Sequence, residues 1–194
     1  MNNLSRSVLG LIVAVGLTAS ANAVMISYGA STLGAADALL SGTDTSQAAI
    51  NSIIFPYFDG VCDDVLELYK QDVDDPEEPL PFAGSYTTTF SNSASDPEDA
   101  LVHYDGGASI GGECIFMLVK GGGPPGITAW YLFNISDWNG TDNLVLTDFW
   151  LGPGAISHIT LYAGGEVRVP DGSSTVLLLG LGLSALAIAS RRKK

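Results

Sequence analysis

Residues 128–135 read T-A-W-Y-L-F-N-I, and residues 114–119 read C-I-F-M-L-V. The first run carries Trp130, Tyr131, Leu132 and Phe133 in succession. Large aromatic and branched side chains in a short run fit a pleated, half-buried surface, so it reads as a strand. The second run is apolar on both faces, which places it at the centre of a sheet. A glycine-proline loop over 121–126 separates the two.

The same grammar extends outward. Residues 61–73 contain a strand with Leu66 and Leu68 on one face. In 85–91, Tyr86, Thr88 and Phe90 alternate with Thr87 and Thr89, the period of two that a strand requires. Residues 100–104 form a short strand turned by Asp105-Gly106-Gly107, and 144–149 and 156–163 complete the set. Residues 72–81, acidic and proline-containing, and 92–98 read as loops. About seven or eight short strands at turn-rich spacing predict a mainly β domain, an antiparallel β-sandwich of jelly-roll-like kind. There is no internal repeat of fixed period and no sign of a second domain.

One or two short helices are expected before the strands. Ser31 is placed to cap a helix holding Leu33, Ala36, Leu39 and Leu40, with Gly42 beyond its end. Asp44 with Gln47 has the spacing of a capping box. Ala49, Ile50, Ile53 and Ile54 then share a helical face, and Pro56 is expected to stop that helix.

The two ends read as addresses. Arg6, the apolar run from Val8 to Leu17, and Ala21-Asn22-Ala23 follow the order of a secretory signal peptide. Signal peptidase would cut between Ala23 and Val24. At the other end, Val169-Pro170-Asp171-Gly172 precedes residues 173–190, 18 residues without a charge, and then Arg191, Arg192, Lys193 and Lys194. As a transmembrane helix, residues 173–190 would span about 27 Å, slightly less than a hydrocarbon core. Snorkelling basic side chains can cover the deficit. Four terminal cations hold that end in the cytoplasm, which puts the domain across the inner membrane. The chain divides into 1–23, 24–168 and 169–194.

The charge is equally uneven. Net charge is −13, and between Val24 and Asp171 only Lys70, Lys120 and Arg168 stand against all 21 acidic residues. Such a domain repels nucleic acid, whose binding needs a basic face, and repels anionic lipid; the acidity favours solubility outside the cell.

Residues 169–194 resemble a bacterial PEP-CTERM sorting signal, with its short proline-containing motif, brief membrane helix and basic end. V-P-D-G in place of V-P-E-P makes it similar to the VPDSG-type variants. The resemblance implies an exosortase, a membrane peptidase that cuts near the motif and releases the domain to the cell surface or extracellular matrix. A link to extracellular polysaccharide and biofilm comes from the resemblance alone. W-Y-L-F-N-I-S-x-W-N-G-T from Trp130 to Thr141, L-x-L-T-x-F-W over 144–150 and G-A-I-S-H over 154–158 also look like the recurring C-terminal part of many PEP-CTERM ectodomains. Those ectodomains have no assigned activity.

Several constellations bear on chemistry. Cys62 and Cys114 are the only cysteines; an even count in an exported domain suggests a disulfide, against two buried free thiols. Its loop of about fifty residues would contribute roughly 4 kcal/mol. A cysteine metal site has no support, since no C-x-x-C occurs. His158 adjoins Ser157, with Asp148 ten residues earlier, but neighbours on a strand point to opposite faces and no G-x-S-x-G is present. His103 and His158 are expected at the surface or rim. With so many acids, a pair of carboxylates is no signal for glycoside hydrolysis. Asp72, Asp74, Asp75, Glu77 and Glu78 lack the spaced calcium-loop pattern and contain Pro76, so they read as a solvated loop. Asp137, Asn139 and Asp142 about Gly140 read as an Asx-type turn. Trp130 and Trp150, with Tyr131, read as core, whereas Trp138 in the polar turn 137–140 is the exposed candidate for sugar stacking.

The expectation is a non-enzymatic exported surface or matrix protein with no catalytic residue, cofactor or metal. Its alternatives are a carbohydrate-binding module using Trp138 and a secreted hydrolase. An exposed aromatic platform would favour the module; a cleft with convergent carboxylates, or His158 facing a hydroxyl, would favour the hydrolase.

Overall fold

In a computed structural model, which describes residues 24–75, 78–92, 96–121, 127–150 and 154–164, the apolar alternation of the central strands sorts them into layers. In β7 (Cys114–Gly121), Ile115, Met117 and Val119 face one core and Phe116 and Leu118 another. A strand buried on both faces needs a cover on each side. One cover is a second sheet, and the other is a helix.

Among the described residues there are ten strands. The first sheet has the order β2 (Ser31–Gly34), β1 (Met25–Tyr28), β9 (Leu144–Thr147), β6 (Asp99–Tyr104), β5 (Tyr86–Ser91). The second has the order β3 (Leu40–Gly42), β8 (Trp130–Asn134), β7, β10 (Ile156–Gly164), β4 (Leu66–Asp72). Neighbours are antiparallel throughout. Ile26, Val102, Leu144 and Leu146 of the first sheet share a buried cluster with Ile115, Met117, Val119, Phe133, Ile159 and Leu161 of the second. Across the second sheet, Phe116, Leu118, Trp130, Leu132 and Tyr162 form a smaller cluster with Ile50, Ile54 and Phe58 of α1 (Gln47–Asp59). The layers therefore run sheet, sheet, helix.

The strand readings from residue 61 onward hold, with β7 central as expected. The region before α1 does not. Residues 31–42, read as a helix capped by Ser31, instead form β2, a 3₁₀ turn over Ala35–Asp37 and β3. Tyr28 pairs with Ser31 across the two-residue turn Gly29-Ala30, and Gly29 has φ +52, where glycine adopts the left-handed backbone of a tight hairpin. β3 is recruited by β8, with Gly42 opposite Trp130; a Cβ on Gly42 would meet the indole at 2.8 Å. Non-local pairing here outcompetes a four-residue helical pattern.

The helix also differs at both ends. Ser46 is its cap, accepting from the Ala49 amide at 3.2 Å, in place of the expected Asp44 and Gln47 box. Pro56 lies inside α1 and does not stop it. Pro56 and Ser52, whose carbonyl loses its partner, are both exposed, so water can take the freed acceptor. The turn beyond Pro56 persists because Phe58 is buried, its ring 4.8 Å from Phe116 and 5.4 Å from Tyr162. Ile50 and Ile54 face the sheet, while Ile53 is exposed.

Two β-bulges set the faces of β4 and β10. Glu67 pairs with Tyr162 and Tyr69 with Leu161, leaving Leu68 as an extra residue; both Leu68 and Tyr69 are thereby buried. Ile156 pairs with Gly121 and His158 with Lys120, leaving Ser157 as the extra residue. That inserted residue lets Ile156 and Ile159 both join the sandwich core.

The structure has no helix among the described residues long and apolar enough to cross a membrane. The expected span, 173–190, lies outside the described residues, as do the signal peptide and residues 165–168.

Candidate functional site

The turn after β8 closes one end of the sandwich. Asn139 Oδ1 accepts from the amides of Thr141 and Asp142 at 2.9 and 2.8 Å, the Asx geometry expected there. Gly140 has φ +78, and a Cβ on it would lie 2.0 Å from the Ile110 carbonyl oxygen, so no other residue fits. The buried Tyr86 hydroxyl donates to Gly140 O at 2.8 Å and accepts from Ile110 N at 2.6 Å. Burial pushes the Tyr86 phenol up to about 12. Asp137 is drawn out of the turn, accepting from Tyr28 Oη at 2.6 Å and Ser31 Oγ at 2.8 Å. Those bonds, Tyr28's first, hold its carboxyl below the usual range.

Trp138 was expected to be exposed. It is 4 % exposed, its indole N–H donates to Asp142 O at 2.7 Å, and its ring lies 5.8 Å from Tyr86. A buried indole whose one donor is spent inside the turn offers no open face for stacking a sugar. Trp130 and Trp150 are buried as well, so no tryptophan supplies a platform.

Cys62 and Cys114 form a disulfide with a Cα–Cα distance of 6.3 Å. It borders a cleft of about 800 Å³ whose lining includes Cys62, Asp63, Glu113, Cys114, Asn139 and Trp138. Asp63 and Glu113 are both exposed. No histidine lines this cleft.

His158 lies instead on the helix-side face of the second sheet, and it is 4 % exposed. This corrects the expectation of a rim position; Ile159 faces the sandwich core, and alternation puts the His158 ring on the opposite face. His103 is exposed, with Nδ1 2.8 Å from Asn143 Oδ1. The carboxylate beside His158 is Asp72, not Asp148: His158 Nδ1 lies 3.3 Å from Asp72 Oδ1. Its Nε2 is buried with no hydrogen-bond partner among the described residues. Burial lowers its pKa to about 4, against the pull of Asp72, with Lys120 and Lys70 adding to the fall. Burial thus favours the neutral ring at pH 7, and Nε2 has no hydroxyl within hydrogen-bond distance among the described residues.

Both lysines described in the domain belong to this face. Lys120 is opposite His158 on β7, and Lys70 is opposite Thr160 on β4. Lys70 Nζ lies 3.1 Å from Asp72 Oδ2 and also donates to Glu78 Oε1. Burial pulls the Lys70 ammonium down, but Glu78 and Asp72 together raise it. Burial lowers Lys120. Two members of the acidic run thus fold back on Lys70, while Asp74 and Asp75 stay exposed. Sequence reasoning missed this Asp72, Lys70, His158 and Lys120 grouping because it depends on pairing across three strands. Among the described residues, no three His, Cys, Asp or Glu side chains are placed to hold a metal ion.

Val24 is half-buried at the start of the described chain. Ala21, Ala23, the V-P-D-G motif at 169–172 and the basic residues 191–194 lie outside the described residues. Comparison with known families places the C-terminal end: residues 168–193 match the VPDSG-CTERM motif, a PEP-CTERM-type sorting signal variant. The match implies an exosortase-type processing partner, export and a membrane-anchored precursor. No curated protein and no solved structure shows significant similarity to the chain.

Proposed function

We propose that this chain is the precursor of a non-enzymatic cell-surface or extracellular-matrix protein, exported by residues 1–23 and trimmed by an exosortase-type peptidase near Val169–Gly172. The observation that carries this reading is the sorting-signal match over 168–193 at the C-terminal end of an acidic two-sheet domain. An exported domain meets no cytosolic reductant, and a disulfide suits that setting. A surplus of carboxylates keeps such a domain soluble and apart from anionic lipid once its anchor is cut. Release from the membrane would then be complete, because the described domain carries little positive charge to hold it at the lipid surface.

The non-enzymatic reading is supported by separation of the reactive groups. His158 is buried beside Asp72 on the helix side of the second sheet, and the carboxylates of the cleft, Asp63 and Glu113, are solvated. A general acid for glycoside cleavage needs a carboxyl set in apolar surroundings, and an exposed one has none. The carbohydrate-binding alternative relied on an open Trp138, and that indole is inside the fold.

Mass spectrometry of the protein from its native cells, reading both termini, tests the proposal. A mature chain beginning at Val24 and ending near the V-P-D-G motif is expected. A chain from the cell surface still ending at Lys194 would overturn processing and make residues 173–190 a permanent anchor.

A further inference from the structure

The first sheet ends on β5, whose six residues, Tyr86–Ser91, include no charged side chain. Pairing with β6 uses alternate residues of the strand. Asp105 N donates to Ser85 O, so in the same register Thr87, Thr89 and Ser91 bond to His103, Leu101 and Asp99. The amides and carbonyls of Tyr86, Thr88 and Phe90 therefore point away from the sheet. Tyr86 is engaged there by a bridge to Ala83. Among the described residues, no backbone bond reaches Thr88 or Phe90 from that side. The side chains alternate in step. Thr88 and Phe90 turn toward the sandwich, the Thr88 hydroxyl lying 2.7 Å from Tyr69 Oη, and Thr87, Thr89 and Ser91 are exposed. The other sheet ends are blunted. β2 and β3 have only four and three residues. β4 carries Glu67, Lys70 and Asp72, and a bulge at Leu68, whose carbonyl is taken by Phe82 N at 3.1 Å. Shortness, charge, bulges and cover are the usual protections of a sheet edge against another chain. Around Thr88 and Phe90, β5 has none of them.

We propose that β5 is a self-association edge, at which a second copy of this chain adds its own β5 antiparallel across a two-fold axis. The open backbone groups fix the register. Thr88 and Phe90 of one copy exchange hydrogen bonds with Phe90 and Thr88 of the other, which sets Thr89 opposite Thr89 and Thr87 opposite Ser91. Every facing pair on the exposed side is then hydroxyl against hydroxyl, a favourable cross-strand pairing. That match selects a second copy as the occupant, because the strand complements itself when reversed about Thr89. Charge points the same way. Acids outnumber basic residues 21 to three between Val24 and Asp171, so two copies repel over most of their surface. An uncharged strand lets the two backbones meet without carboxylates on the paired strands themselves. The two-fold uses up the edge on both copies, so the assembly closes as a dimer. None of this depends on export or on trimming of the chain.

Cysteine crosslinking of the full chain, held in a non-ionic detergent, tests the pairing. Thr89→Cys sets two new thiols face to face across the axis. Thr32→Cys, also exposed, lies on β2 at the opposite end of the same sheet and serves as the control. Under a mild oxidant the Thr89→Cys chain should form a disulfide-linked dimer at least about tenfold faster than the control, because pairing raises the effective concentration of its thiols. Adding Thr88→Pro removes an outward amide that β6 does not use, a change an edge strand tolerates, and should bring the rate down to the control's. A second change needs no proline: Thr87→Glu with Ser91→Glu opposes carboxylates in the same register and should lower the rate as far. Equal rates for Thr89→Cys and Thr32→Cys would overturn the proposal, and so would an excess that survives both added changes. A purified Thr89→Cys chain that stays monomeric, yet is trapped with a different chain in its native cells, would overturn the second copy as occupant and give the edge to another protein's strand.

Discussion

His158 is the residue at which burial, charge and function meet most sharply. It is enclosed with Asp72 and Lys70 of β4, Lys120 of β7 and Glu78 of the following loop. Its pKa falls from 6.5 to about 4 because burial opposes the charged ring. Between those values the unfolded chain binds a proton that the folded one does not, so stability rises with pH across that window. The contribution is full above about pH 6.5 and is lost as pH drops toward 4. Its size is on the order of 3 kcal/mol. Urea titrations at pH 4.5 and 7 should show the wild type losing more stability on acidification than His158→Gln. Parallel pH profiles for the two would mean that the ring titrates in the fold as it does in the unfolded chain. The same residue shows why single positions mislead: a histidine next to a serine looks solvent-facing, and only its register between β4 and β7, beside Asp72, Lys70 and Lys120, puts it inside. Trp138 failed for the same reason, since a polar sequence neighbourhood says nothing about Tyr86 arriving from a distant strand.

At the scale of elements, α1 gives the clearest test of which local signals act. The structure assigns its first turn to Ser46, whose hydroxyl accepts from Ala49 N, while the sequence offered Asp44 and Gln47 as an equally good pair. Ser46→Ala should therefore destabilise the protein by about 1 kcal/mol, and Asp44→Ala should stay within about 0.5 kcal/mol. Equilibrium denaturation distinguishes them, and the reverse order would restore the rejected cap. The strands from β4 to β10 were legible because their period of two, or their unbroken apolar runs, are properties of the chain itself. β1, β2 and β3 were not, because segments of three or four residues hold too little pattern, and β1 and β3 are fixed by β9 and β8 at least 88 residues away. The disulfide was legible from cysteine count and export. The Lys70, Asp72, His158 and Lys120 grouping was not, since register across three strands is invisible in one.

For the whole molecule, the dominant quantity is charge. Between Val24 and Asp171 the acids outnumber the basic residues 21 to three, and Lys70 is already engaged by Asp72 and Glu78. The remaining carboxylates, many of them exposed, repel one another more in the compact state than in an expanded chain. Salt shortens the range of that repulsion, to about 10 Å at 0.1 M. The pairs it also weakens are few, so the net effect has a definite sign. Raising sodium chloride from 10 to 300 mM should stabilise the domain by about 1 kcal/mol, a rise in Tm of roughly 3–5 °C for this size. The same concentration of glycine, a zwitterion without net charge, should reproduce little of it. A Tm that falls with salt would show that attractive pairs such as Lys70 with Asp72 and Glu78 outweigh the diffuse repulsion. The distinction matters for the mature protein, because a fold that tightens with ionic strength is suited to a surface where salt is not controlled by the cell, and one held by ion pairs is not.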